Sequence, residues 1–251
     1  MTEVLAIPTA RDEDWRYADF DVLQSLTPQA FAVWKDVALD PGETRRHCTV
    51  LDDRSAGLHR VRIDVAEGAR AEMFAVLSAS TYTRLEVQVR LARGARFEFG
   101  GVTIGGGDAT REIVTRVTHA EPEAASRQVV RAVHWGTATG NFLGKVGVAR
   151  AAQKTDAGQD FKGLLLERGA SANAKPELEI FADDVKCAHG AAVGQLDEAA
   201  RFYMAARGLP PEIADKLLVR AFIADAFAGL EDAAEQDKLF DAALTALGER
   251  A

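Results

Sequence analysis

A thiol and an imidazole stand two residues apart in Cys187-Ala188-His189, between the acidic pair Asp183-Asp184 and the small-residue run Gly190-Ala191-Ala192-Val193-Gly194. On extended backbone, positions i and i+2 share a face. Cys187 and His189 are therefore candidate metal ligands for one target, of types that suit zinc, copper or iron. They supply two ligands where a closed tetrahedral site takes four. A buried thiol beside a turn histidine, with no metal, is the plainer reading of the same residues. Asp183 and Asp184 are adjacent, so on a strand they would face opposite sides and could act as an acid pair only across a bulge. Such pairs on the rim of a β-helix serve enzymes that cut polysaccharides, which keeps that class as an alternative. In His47-Cys48 the expectation is an inward thiol and an outward imidazole. His59, His119 and His134 stand alone in the sequence. Gly105-Gly106-Gly107 lacks the following Lys-Ser/Thr of a phosphate loop and reads as a turn. No Walker motif occurs, so no intrinsic nucleotide site is expected.

Those residues need a scaffold, and the middle of the chain repeats itself. Gly42, Gly68 and Gly94 lie 26 residues apart, and Gly169 follows Gly94 by 75, close to three further periods. Alternating segments precede the turns: His59-Arg60-Val61-Arg62-Ile63-Asp64-Val65, Thr83-Arg84-Leu85-Glu86-Val87-Gln88-Val89-Arg90-Leu91, and Ile113-Val114-Thr115-Arg116-Val117. Period-two alternation marks strands with one buried face. Strands recurring at a fixed long period between glycine turns indicate a mainly β solenoid, a β-helix whose coils bury their inward residues against one another. Near His119 to Pro122 the spacing persists without the glycine.

The ends differ. Residues 1–40 read as a short N-terminal arm, mostly irregular with little helix, around Trp15-Arg16-Tyr17-Ala18-Asp19-Phe20. Residues 41–195 form the β-helix core, and 196–251 a C-terminal helical subdomain. Asp197 is a good N-cap for Glu198 to Arg207, with Gly208 as the stop. Pro211 suits the first turn of a helix ending near Gly229. A last helix spans roughly Ala233 to Leu247. The helix from Pro211 is apolar on two sides: Ile213, Leu217, Ala221 and Ala224 on one, Val219, Ile223, Phe227 and Leu230 on the other. Two apolar sides need two neighbours. The second stripe, Val219, Ile223, Phe227 and Leu230, is the candidate partner-binding surface. Residues 196–251 carry 11 acidic and 6 basic residues, so a partner there is expected to present Lys and Arg.

Composition excludes several classes. The 251 residues are 47% hydrophobic, enough for a sizeable core, and carry a formal charge of -8 without a dense basic segment, which argues against nucleic acid. Two cysteines do not make a disulfide framework, which fits a reducing, cytoplasmic setting. The first fourteen residues lack the basic start and apolar core of a signal peptide. No apolar run reaches the ~20 residues needed to span a bilayer.

Taken together, Asp183-Asp184-Val185-Lys186-Cys187-Ala188-His189-Gly190-Ala191, Arg201-Phe202-Tyr203, Arg207-Gly208 and Ala221-Phe222 resemble the C-terminal signature of the SufB/SufD family, scaffold proteins of SUF iron–sulfur cluster assembly. The Trp15 to Phe20 segment resembles the family's motif before its β-helix. The likeness covers nearly the whole chain and is densest from Lys175 to Phe227. It is nearer to SufD: Phe161 stands where SufB is expected to carry a reactive cysteine, and Gly190 where SufB has a glutamate. One departure is the stretch before the β-helix, about 40 residues here and longer and helical in relatives. The resemblance implies a right-handed parallel β-helix with C-terminal helices and no enzymatic activity of its own. It implies pairing with a SufB-like sister subunit and docking of a SufC-like ATPase on the helical end. It also implies a transient iron–sulfur cluster at the subunit interface, with His189 contributed by this chain and Cys187 nearby. A homodimer is expected when the partner is absent, and a reduced flavin is allowed in the complex.

Overall fold

Each turn of the chain lays down two strands. The computed structural model describes residues 7–9, 11–52, 57–79 and 82–248. Its strands are β1 (Lys35–Leu39), β2 (Thr44–Leu51), β3 (Gly57–Val65), β4 (Arg70–Leu77), β5 (Thr83–Leu91), β6 (Arg96–Gly105), β7 (Thr110–His119), β8 (Ala125–His134), β9 (Thr139–Val148), β10 (Asp156–Leu165), β11 (Ser171–Ile180) and β12 (Lys186–Gln195). The odd-numbered strands form one six-stranded sheet and the even-numbered strands another. Every pairing is parallel and in register. The expected β-solenoid is therefore the observed fold. Its first strand lies within the stretch assigned to the arm.

Alternation decides which side chains fill the interior. Leu85, Val87, Val89 and Leu91 of β5 meet Phe97 and Phe99 of β6 and Ile113 and Val117 of β7 in one buried core. Phe142 and Phe161 stack across the interior at 5.8 Å with their rings nearly parallel. Each such residue buries its apolar surface only because coils lie above and below it.

The repeat starts strict and then lengthens. Thr44 pairs with Arg70 and Arg70 with Arg96, steps of 26 residues. Arg96 then pairs with Ala125, a step of 29, and Ala125 with Asp156, a step of 31. Gly42, Gly68 and Gly94 sit at one corner with φ between 63° and 73°; Glu123 (φ 66°) and Lys154 (φ 60°) hold the same left-handed conformation further along it. These two lack glycine's freedom from the Cβ penalty, which costs about 1–2 kcal/mol. A ladder offsets it: the amides of Gly42, Gly68, Gly94 and Glu123 donate to Glu67, Arg93, Pro122 and Gln153 carbonyls of the next coil at 2.9–3.0 Å. Gly169 belongs elsewhere. It lies between β10 and β11, at the opposite corner with Gly107 and Gly136, so its spacing from Gly94 is not a multiple of one repeat.

Both outer faces are covered by the ends of the chain. On the odd-numbered sheet lies the arm, which contains the short helix α1 (Phe20–Ser25) between 3-10 turns at Glu13–Trp15 and Pro28–Phe31. Trp15, Leu23 and Phe31 pack with Tyr82. Trp15 also lies over the Arg84 guanidinium at 3.8 Å. On the even-numbered sheet lie α3 (Pro211–Ala224), the 3-10 turn Asp225–Phe227 and α4 (Ala233–Gly248). In chain order β12 leads into α2 (Glu198–Ala205), which packs on α3 and buries no residue; its N-cap Asp197 accepts from the Ala199 and Ala200 amides. Gly208 takes φ 82° past its end. Gly100 lets the Ala226 carbonyl approach β6 so closely that any Cβ would collide with it.

Candidate functional site

β12 carries Cys187 and His189 and is the last strand of its sheet, paired with β10 on one side only. In-register pairing sets Cys187 beside Ala157 and His189 beside Gln159. Ala157, Gln159 and Phe161 are buried inside the solenoid, so the two candidate ligands lie on the same inward face, as their spacing predicts. No further coil covers them. His189 is exposed and Cys187 is half-buried, the thiol packed against Val146, Val148, Ala152, Ala157 and Ala182. Burial pushes the Cys187 thiol above its ordinary value and Asp156 adds to this, while the Ala157 backbone N–H opposes it. A metal would therefore have to displace the thiol proton.

No cluster of three or more His, Cys, Asp or Glu side chains fit to hold a metal ion occurs among the described residues. Both cysteines are free. Asp183 and Asp184 lie in the turn between β11 and β12. There the Asp184 amide donates to Gln153 Oε1 at 2.9 Å, and the Asp184 carbonyl accepts from the Lys154 amide. The strand geometry assumed for them does not apply.

The other edge of the open end is blunted. β11 is the last strand of the odd-numbered sheet and contains Pro176, which has no N–H to give an incoming strand. Charged Lys175, Glu177 and Glu179 flank it. β12 has no proline and, past Lys186, no acidic or basic residue apart from His189. Val193, Ile180 and Phe181 are exposed at this end.

The candidate partner stripe is corrected. Val219, Ile223, Phe227 and Leu230 are at most 1% exposed. They pack with Phe74, Val76, Val102, Ile104 and α4 in one apolar cluster. The sheet's own outward apolar residues supply the neighbour that was assigned to a second chain. The opposite stripe stays open, with Ile213 and Leu217 each 46% exposed, next to Phe202 and Tyr203 of α2 at 77% and 57%. Arg201 bridges to Asp215 at 2.9 Å and ties α2 to α3.

The remaining histidines and Cys48 are also placed differently. Cys48 lies on the outer face of β2 under the helices, and His47 on the inner side at a 200 Å³ mouth lined by Val37, Leu39, Val61, Ile63 and Met73. Helices over β2 make its outward positions apolar, which inverts the expected faces. His119 and His134 are not alone: His119 Nε2 lies 2.9 Å from Ser126 Oγ, and His134 Nε2 lies 3.0 Å from Thr103 Oγ1. Each partner lies on another strand, seven residues away for Ser126 and 31 for Thr103, so no local signal pointed to them. Sequence reading also missed Gln128 and Gln159, two buried amides inside the solenoid.

Comparison with known proteins agrees with this geometry. A family model described as SUF system FeS cluster assembly, SufBD core domain, matches residues 40–222. The chain is 41% identical over 116 residues to the chloroplastic protein ABCI7 of Arabidopsis thaliana, covering 46% of this chain and 24% of that protein. It is 33% identical over 186 residues to an iron–sulfur cluster assembly SufBD family protein of Synechocystis, covering 72% and 41%. With the iron–sulfur cluster assembly protein SufD of Escherichia coli it shares 35% identity over 136 residues, covering 54% and 31%. The chain thus matches less than half the length of each of these relatives. Among the described residues no helix is long and apolar enough to cross a membrane. With a two-sheet parallel solenoid, a helical end and a match over most of its length, this chain belongs to the SufBD core family of iron–sulfur cluster assembly proteins.

Proposed function

We propose that this chain acts as a SufD-like scaffold subunit, without catalysis of its own, on which an iron–sulfur cluster is built as cargo. The observation that supports this reading best is the incomplete ligand pair Cys187 and His189 on an open sheet edge. A SufB-like sister subunit pairs at that end and completes the ligand set. His189 is the ligand given by this chain, because it is exposed on the open edge strand. Cys187 serves beside it once a metal has taken the place of its proton. An unpaired strand offers a ready row of backbone donors and acceptors, and only β11 is blunted. In the absence of the sister subunit the same edge supports a homodimer. A SufC-like ATPase docks on the helical end through Phe202, Tyr203, Ile213 and Leu217, and the acidic character of residues 196–251 favours a basic partner. A reduced flavin, if one enters the complex, is held elsewhere than in any nucleotide motif of this chain.

The test is co-purification with the sister subunit and the ATPase, followed by anaerobic reconstitution with iron and sulfide. His189→Ala is expected to lower cluster formation at least tenfold while the complex still assembles. Unchanged cluster yield in that variant removes His189 from the site.

A further inference from the structure

Two side-chain amides lie inside the solenoid directly behind His189. Gln128, Gln159 and His189 are register partners on β8, β10 and β12, so they form one inward column running from the interior to the open end. Gln128 is 0% and Gln159 3% exposed. Neither amide has a hydrogen-bond partner at its oxygen or its nitrogen, and Thr115 Oγ1, on the facing sheet, has none either. The walls around them are apolar: Phe99 is the register neighbour of Gln128, and Phe142 stacks on Phe161. The Gln159 amide reaches across to β9, where a Cβ at Gly144 would meet its Nε2 at 2.6 Å. Glycine at that position therefore leaves room for the amide. Other polar side chains of the interior are paired, His119 with Ser126 and His134 with Thr103, and buried amides are likewise expected to have partners.

Parallel strands lie about 4.7–4.9 Å apart, so successive side chains in a column stand one amide hydrogen bond or one bridging water from each other. A ligating imidazole in turn needs its second nitrogen fixed, since that bond sets which nitrogen is left bare for the metal. Gln159 is the polar side chain stacked on His189 in this column. It has both a donor and an acceptor to offer. We propose that Gln159 is the positioning residue for His189: its amide, unpartnered by any protein group, holds the imidazole through a bridging water in the inward column, and Gln128 is linked to Gln159 in the same way. This deepens the reading of His189 as the ligand given by this chain.

The experiment is nitrogen-15 NMR of the His189 ring in the full chain without iron or partner, at a pH where the imidazole is neutral. One tautomer is expected to dominate in the unsubstituted chain. Gln159→Leu should shift the tautomer ratio about threefold or more, a change of the size one hydrogen bond produces. Gln159→Glu, which keeps an acceptor, should retain the bias. An unmoved ratio in Gln159→Leu overturns the proposal, as does a raised unfolding midpoint in that variant with the His189 signals unchanged, since the amide would then be a mere buried orphan. If the leucine variant does not fold, Gln159→Ala makes the same test with space to spare. The readout involves no cluster, so failure of the ligand role of His189 in reconstitution and failure of this contact are told apart.

Discussion

On the odd-numbered sheet the outward positions Arg60, Arg84, Glu86, Glu112 and Arg116 are charged and lie under the N-terminal arm; on the even-numbered sheet Phe74, Val76, Val102 and Ile104 are apolar and lie under α3 and α4. Both faces point away from the solenoid core, and both are buried. Under the arm, Glu112 accepts from Arg84 at 3.2 Å, from the Tyr82 hydroxyl at 2.5 Å and from Asn141 at 3.2 Å. Arg84 also donates to the Asp14 carbonyl at 2.9 Å, and Asn141 to that of Tyr17 at 3.1 Å. Ion pairs Lys175–Glu13 and Arg116–Asp14, each 2.6 Å, tie down the same segment. Under the helices the contacts are mostly apolar, with Arg131 as the main exception, bonded to Asp160 at 2.5 Å and Asp225 at 3.0 Å. A charged, hydrogen-bonded cover fails as a unit when one member is lost, whereas an apolar cover weakens in proportion to what is removed.

The comparison breaks most visibly at Glu112. Glu112→Ala removes the carboxylate hydrogen-bonded to the fully buried Arg84 and leaves only Glu86, at 3.9 Å, beside the cation; a loss of about 3 kcal/mol is expected in chemical unfolding. Trp15 fluorescence should report release of the arm at lower denaturant than the global transition. Coincident transitions, with a loss below 1 kcal/mol, would show that the arm is held by its apolar anchors instead.

Acid probes the difference without substitution. Burial lowers His119 to about 4, and burial with Arg111 nearby lowers His134 to about 3. Both are neutral in the fold, whereas in the unfolded chain they take up protons near pH 6.5. The unfolded state therefore binds more protons between pH 6.5 and these values, so stability is full above 6.5 and falls as pH drops through that window. For His119 alone the loss is on the order of 3 kcal/mol by pH 4. Glu86 is held below the usual carboxylate range: burial alone would raise it, but Arg84, Arg116 and Arg60 outweigh that. Over this window the interior should lose stability before the arm lets go. His119→Asn should flatten the dependence of the unfolding midpoint between pH 6.5 and 4; an unchanged slope would refute the assignment.

The smallest expected effect is on the apolar face. Ile223→Val removes one buried methylene under α3 and should cost about 0.5–1.5 kcal/mol with the arm transition unmoved. A change in the arm signal would mean that the two covers are coupled through the sheets.

Much of the solenoid was legible because its determinants are local. Glycine turns at Gly42, Gly68 and Gly94 and the alternation from Thr83 to Leu91 gave the coils, and Cys187 and His189 emerged on one face because extended backbone requires it. What escaped is non-local. Alternation gives the outward direction of Arg84 and Glu86 but not that an arm some seventy residues earlier in the chain lies over them. Two apolar stripes on α3 say that it needs two neighbours, not which stripe meets the sheet, so Val219, Ile223, Phe227 and Leu230 were given to a partner. Gly169 matched the repeat in its local text, yet which corner it occupies depends on how much the intervening coils had lengthened. Gln128 and Gln159 left no mark because a glutamine beside Arg127 or Asp160 reads as solvent-facing.

The lengthening of the coils has a practical consequence. The step from 26 to 29 residues is made by the strands, which grow from eight and nine residues in β4 and β5 to ten in β6 and β7; from there to β12 every strand keeps ten, so the further step to 31 is made by a corner, the segment from Ala149 to Thr155 between β9 and β10. A strand cannot accept an inserted residue without turning every later side chain inside out; a corner can. A peptide epitope or a spectroscopic label spliced near Arg150, where the chain already detours, would ride on the outside of the stack and leave the order of its layers untouched.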